Sequence, residues 1–268
     1  MLGLTPAYIN ETKAALNVVC LDGGIKVITP EGDDTPYKHF LPYIESDEPS
    51  EPIKARHKRK LFYCNVGDRG YYIKKYSYRF TQRHFAPFRG FMWSIPMAQR
   101  QMQKMLFLRE CGADVAEPVM ALVRRYAGIK QESVLVMHEC PGISFKYFLK
   151  DVDDFQQRLH VVAQTFRFLK LSHDNRIHHG DMATHNFIVD SDGDMKAIDL
   201  DERKTKWLGP LGNRKELKKW VKKSVRMLGI DAESPFSPKR RAFEHMLEEN
   251  YPEALKFYRE INNKENSL

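Results

Sequence analysis

No stretch restricts this chain more than Ile177-His178-His179-Gly180-Asp181-Met182-Ala183-Thr184-His185-Asn186-Phe187-Ile188-Val189, followed by Ala197-Ile198-Asp199-Leu200-Asp201. It places a carboxylate at 181, a carboxamide at 186 and a second carboxylate at 199, each against a short apolar run. Between Phe187 and Ile198, two apolar segments flank Ser191-Asp192-Gly193-Asp194, which has the composition of a tight turn, so the segment predicts a hairpin. The open end of that hairpin would bring Asn186 beside Asp199. Such a trio suits phosphoryl transfer, in which one Asp accepts the proton of an attacking hydroxyl while an Asn oxygen and a second Asp hold magnesium.

His179-Gly180-Asp181 with Asn186, then Ile198-Asp199-Leu200, resembles the catalytic loop and metal-binding motif of the protein-kinase-like fold. Gly180 stands where an Arg is usual, and Asp201 where a Gly follows Leu200. The wording is similar to that of the bacterial lipopolysaccharide core kinases, which phosphorylate heptose or Kdo sugars of the inner core, over residues 55 to 228. The resemblance implies an α+β, two-lobed protein-kinase-like fold with a small β-rich N-lobe and a mostly helical C-lobe. ATP, Mg2+ and a lipopolysaccharide core acceptor follow from it. So do the roles: Asp181 as catalytic base, Asn186 and Asp199 as metal ligands, and Lys74 on the nucleotide phosphates, with Lys75 as the alternative register. Gln101 falls where such kinases carry a Glu that pairs with the strand Lys. Met137, His138 and Cys140 fall at the hinge, where backbone groups would meet the adenine edge and Met137 would line its pocket.

Local patterning supplies the frame. Leu61 to Val66 and Tyr71 to Tyr76 are aromatic and β-branched around Gly67-Asp68-Arg69-Gly70, a hairpin signal. Ala98 to Cys111 reads as a helix stopped by Gly112, Pro118 to Leu122 and Ser133 to Met137 as buried strands, and Asp154 to His173 as a core helix. Residues 1–52 read as an irregular N-terminal extension, broken by prolines, with one short hairpin near Val18 to Ile28; 53–139 form the N-lobe and 140–268 the C-lobe. Phe80, Phe85, Phe88, Phe91 and Trp93 interleave with Arg79, Arg83 and Arg89, a composition suited either to a lipid-proximal surface or to a packed linker.

The formal net charge of +8 favours anionic partners. Ten Lys or Arg lie between Arg203 and Arg226 against a single acid, Glu216, while Leu217, Trp220, Val221, Val225 and Leu228 share one helical face. A basic amphipathic helix is expected, facing either an anionic membrane surface and acceptor phosphates or plain solvent. Nucleic acid is not expected as a partner. Four scattered cysteines without zinc spacing indicate free thiols in a reducing compartment. No run is long and apolar enough for a bilayer span, so the expected address is the cytoplasm, with peripheral attachment to the inner membrane left open. A pseudokinase or nucleotide-binding regulator, a small atypical protein kinase, and an antibiotic- or choline-type phosphotransferase also remain open.

Overall fold

The structure is a computed structural model that describes residues 15–31, 36–46, 50–56, 59–79, 95–126, 130–200, 209–234 and 236–265. The aromatic stretch from Phe80 to Trp93 and the cations Arg203, Lys204 and Lys206 lie outside them. The chain is α+β and divides into two compact units: the residues up to Gly112 with Ala116–Glu139, and Ala113–Val115 with the residues from Cys140 on.

In the first unit the elements are β1 (Leu16–Leu21), β2 (Ile25–Pro30), the one-turn α1 (Pro42–Glu45), β3 (Lys54–Arg56), β4 (Arg59–Val66), β5 (Arg69–Arg79), α2 (Met97–Glu110), β6 (Pro118–Tyr126) and β7 (Lys130–His138). The seven strands form one antiparallel sheet in the order β1-β2-β6-β7-β5-β4-β3. The period-two alternation of β5 assigns its faces. Tyr71 and Ile73 join Phe40, Tyr43, Ile44, Phe62, Val134 and Val136 in a core cluster on one side. On the other side Tyr76 and Ser133 hold α2, through Tyr76 Oη donating to Gln101 Oε1 at 2.6 Å and the Ala98 N–H donating to Ser133 Oγ at 3.3 Å.

The expected hairpin near Val18 to Ile28 is present as β1 and β2, but the segment containing it is not an irregular appendage. β2 pairs with β6, and Phe40 and Ile44 are fully buried in the sheet's core. Prolines limit helix length here, yet they say nothing of what the apolar residues among them cover. Burying each such side chain contributes on the order of 1.5–3 kcal/mol, enough to fix the segment to the sheet.

In the second unit β8 (Ile143–Ser144) leads to α3 (Phe145–Asp151), α4 (Phe155–Asp174), β9 (Phe187–Val189), β10 (Met195–Ala197), α5 (Gly209–Met227), α6 (Pro238–Asn250) and α7 (Pro252–Glu265). Asp154 caps α4 by accepting from the N–H groups of Gln156 and Gln157 at 2.6 and 3.0 Å; such a cap is worth about 1 kcal/mol. Pro238 and Pro252, which the sequence marks as breaks, open α6 and α7, where a missing N–H costs nothing. Among the described residues no helix is long and apolar enough to cross a membrane.

Gly142, just before β8, has φ +126, and a Cβ there would lie 2.3 Å from the Val189 carbonyl oxygen of β9. Gly142→Ala is expected to destabilise the chain by about 1–3 kcal/mol, the range for a side chain forced into such a conformation. An unchanged urea midpoint would contradict this.

Candidate active site

The loop that carries Asp181 begins where α4 ends. The N–H of Ile177 reaches back to the Ser172 carbonyl at 2.7 Å and that of Arg176 to the His173 carbonyl at 3.0 Å, with Arg176 in the left-handed region at φ +58. This closure terminates the helix and redirects the chain. His179 is fully buried, its ring 5.8 Å from Phe168 and 5.7 Å from Phe187. Gly180 then turns at φ +81, a conformation that disfavours the Arg usual at this position in protein-kinase-like loops.

Glu216 on α5 holds this turn. Its carboxylate accepts from the Gly180 N–H at 2.8 Å, the His179 N–H at 3.3 Å and His173 Nε2 at 2.9 Å, while His173 Nδ1 meets Tyr251 Oη at 2.8 Å. Burial pushes the Glu216 carboxyl upward, but the hydrogen bond from His173, the charges of His179 and His173 and the Gly180 N–H outweigh it and hold the group at about 2. Burial is also the main reason that the Tyr251 phenol lies above its ordinary range. His173, His178 and Glu216 bring possible metal-ligand atoms within 4.8 Å of one another. Both ring nitrogens of His173 and both Glu216 oxygens are nevertheless already in hydrogen bonds, so the cluster works as a brace.

Beyond the turn, Asp181 is exposed and Asn186 is 4% exposed. Asn186 Nδ2 donates to the Asp181 carbonyl at 2.8 Å, which commits the donor end of the amide and leaves its oxygen as the end able to meet a cation. The expected hairpin follows. β9 pairs with β10, Phe187 opposite Ala197, and the Ile198 N–H reaches the Asn186 carbonyl at 2.9 Å, so Asn186 and Asp199 share the open end. At the closed end Asp190 Oδ1 accepts from the N–H groups of Asp192 and Asp194. Gln164 of α4 fastens the hairpin at two points, donating to the Gly193 carbonyl and accepting from the Met195 N–H, each at 2.7 Å.

Within the first unit, Lys74 lies on β5 opposite Leu61 of β4 and Leu135 of β7. Opposite residues of an antiparallel pair share a face. Lys74, Met137 (opposite Tyr72) and Tyr76 therefore occupy the face that carries α2 and Gln101. Lys75 points the other way, 3% exposed, with its ammonium on the Ser46 carbonyl. Gln101, 3% exposed, spends its amide oxygen on Tyr76. The His138 side chain turns to the opposite face, its ring 5.1 Å from Tyr71. The N–H groups of His138 and Glu139 go to the Glu117 and Gly70 carbonyls at 3.0 and 2.9 Å, so these two donors belong to the sheet. Cys140, half-buried and in no disulfide, lies at the start of the second unit.

A comparison with known protein families matches residues 48–241 to the lipopolysaccharide kinase (Kdo/WaaP) family. The chain belongs to that family. No curated relative matches it. As a lipopolysaccharide kinase it is a phosphotransferase with an alcohol group as acceptor, acting on the lipopolysaccharide core. Kinase chemistry implies ATP and a divalent metal, and the donor set at the hairpin's open end, a carboxamide oxygen and a carboxylate, is the hard oxygen chemistry that magnesium takes. Asn186 and Asp199 are the residues that would hold it, and the ion would neutralise phosphate charge.

Two residues of this kinase escaped the motif-based reading. Glu216 was visible as the lone acid of a basic helix. Its position four before Trp220, beside the apolar face, was the signal that it turns inward. Lys223 is one of the ten cations between Arg203 and Arg226, yet it is half-buried over the Trp220 ring, its ammonium 5.2 Å from the ring centre.

Proposed function

We propose that this kinase phosphorylates a hydroxyl of a heptose or Kdo residue of the inner core, at the cytoplasmic face of the inner membrane, using magnesium ATP. The two units correspond in this reading to the small and large lobes of a protein-kinase-like fold. Asp181 accepts the proton of the sugar hydroxyl, Asn186 and Asp199 hold the metal, and Lys74 steadies the nucleotide phosphates. Gln101 and Met137 support the nucleotide from the face they share with Lys74, and Cys140 contributes from the hinge segment. The observation that carries the reading is the exposed Asp181, whose backbone carbonyl is tied to Asn186, with Asp199 at the same hairpin end. Lys215, Lys219, Lys222 and Arg226 form an exposed stripe along α5, which supports an anionic acceptor presented at an anionic membrane surface.

The test is transfer of labelled γ-phosphate from magnesium ATP to detergent-dispersed lipopolysaccharide and, in parallel, to its deacylated core oligosaccharide. Label is expected in the core sugars of the intact glycolipid and much less in the deacylated form. No label in either would sink the sugar-kinase reading, whereas equal labelling would remove its membrane-face component.

A further inference from the structure

Within the second unit a positive charge approaches Asp181 from an unexpected element. The loop from Asp181 to Asn186 contains no Lys or Arg. On α5, however, Glu216, Trp220 and Lys223 are spaced to lie along one helical face. Glu216 grips the backbone of Gly180, next to Asp181. Trp220, fully buried, donates its indole N–H to Thr165 Oγ1 at 2.9 Å and packs 6.0 Å from Phe187, so it is a fixed platform. Helix side chains lean toward the helix N-terminus, and Lys223 accordingly lies back over Trp220.

Among the described residues Lys223 has no hydrogen bond or ion pair, and its contacts are the Trp220 ring and the fields of Asp181 and Lys219. Burial lowers its pKa, Lys219 lowers it further, and Asp181 opposes both. The Asp181 carboxylate likewise has no hydrogen bond or ion pair among the described residues. A half-buried cation held over a fixed ring, on the helix that grips the backbone beside Asp181, is placed to stabilise negative charge developing there.

We infer that Lys223 is a catalytic residue of this kinase, whose ammonium binds the non-bridging oxygens of the phosphoryl group as it passes from nucleotide to the hydroxyl served by Asp181. The inference rests on the function proposed above. In the step, the acceptor oxygen bonds to the γ-phosphorus and gives its proton to the Asp181 carboxylate. The bond from the γ-phosphorus to the β–γ bridging oxygen breaks, and its electron pair leaves with ADP. Lys223 exchanges no proton and forms no covalent bond. It matches the charge spread over the phosphoryl oxygens in transit.

Steady-state transfer by Lys223→Met should show kcat lowered by about a hundred- to a thousandfold, the usual cost of losing one such donor, with KM for ATP and for the glycolipid nearly unchanged. Lys223→Arg, which keeps the charge, should recover part of the loss. A second readout needs no turnover. By calorimetric titration with magnesium present, Lys223→Met should bind ADP as the wild type does, but lose the tighter binding that aluminium fluoride confers on ADP as a transition-state mimic. An active wild type with an equally active Lys223→Met, or a variant in which only the glycolipid KM rises, would overturn the assignment. If the wild type itself transfers nothing, the sugar-kinase reading has failed and the role of Lys223 falls with it.

Discussion

Asp181→Asn is expected to lower phosphoryl transfer by about a hundred- to ten-thousandfold while leaving the fold intact. The two halves of that expectation have separate causes. An amide cannot accept the hydroxyl proton, so the contribution of a positioned base is lost. The contacts that shape the loop at residue 181 are made by its backbone: its carbonyl accepts from Asn186 and its N–H points to His179 Nδ1 at 3.4 Å. An exposed side chain outside that network should change stability by no more than about 0.5 kcal/mol. Parallel measurement of kcat and of the urea midpoint separates the two. A variant that keeps more than about a tenth of the activity would exclude Asp181 as the base, since a positioned base contributes at least a hundredfold.

Glu216→Gln should produce the largest loss of stability. Glu216 accepts from two backbone N–H groups and a histidine at a nearly buried position, its side chain 8% exposed. A glutamine presents an NH2 to at least one of those donors. The penalty should be on the order of 3 kcal/mol, in the range for breaking a buried charged pair, and the melting temperature should fall with it. Because the folded carboxyl sits at about 2 and the ordinary value is 4.5, the unfolded chain binds the proton more readily between those values. The stabilisation is therefore fully present above about pH 4.5 and drains away as the pH falls toward 2. Urea unfolding of wild type and variant at pH 7 and at pH 3 should show a wide gap that narrows in acid. An equal gap at both would mean that the charge of Glu216 is not what holds the turn. Turnover should fall as well, since a catalytic group displaced by about 1 Å costs on the order of a hundredfold.

The parts legible in the sequence are those set by local patterning. The hairpin from Phe187 to Ala197 was readable because Asp-Gly turn chemistry separates two apolar runs, and α2 and α4 because apolar periodicity and stop residues agree. Strand alternation left two registers for β5, Lys74 or Lys75. The burial of Lys75 beneath Ser46 separates them, and that is a contact between residues far apart in the chain. The same limit hid the role of Ile25, Val27, Phe40, Tyr43 and Ile44, whose burial is explained only by the core cluster they join. Glu216 and Lys223 were lost inside a count of charges. Net charge describes a helix surface as a whole, whereas the position of each charge around the helix decides which one turns inward.

The three residues Ala113–Val115 bear on how the protein can be dissected. They precede β6 and β7 of the first unit in the chain, yet they belong to the second. There the Asp114 carbonyl accepts from the Ala197 N–H at 3.0 Å, and Val115 bridges Ala197 in parallel. A fragment starting at Cys140 would retain Asp181, Asn186 and Asp199, but the β10 edge next to Asp199 would lose its neighbour and lie open to solvent or to another chain. The second unit is thus discontinuous in sequence, and its β9–β10 hairpin is finished only by residues translated before the first unit's own sheet is complete.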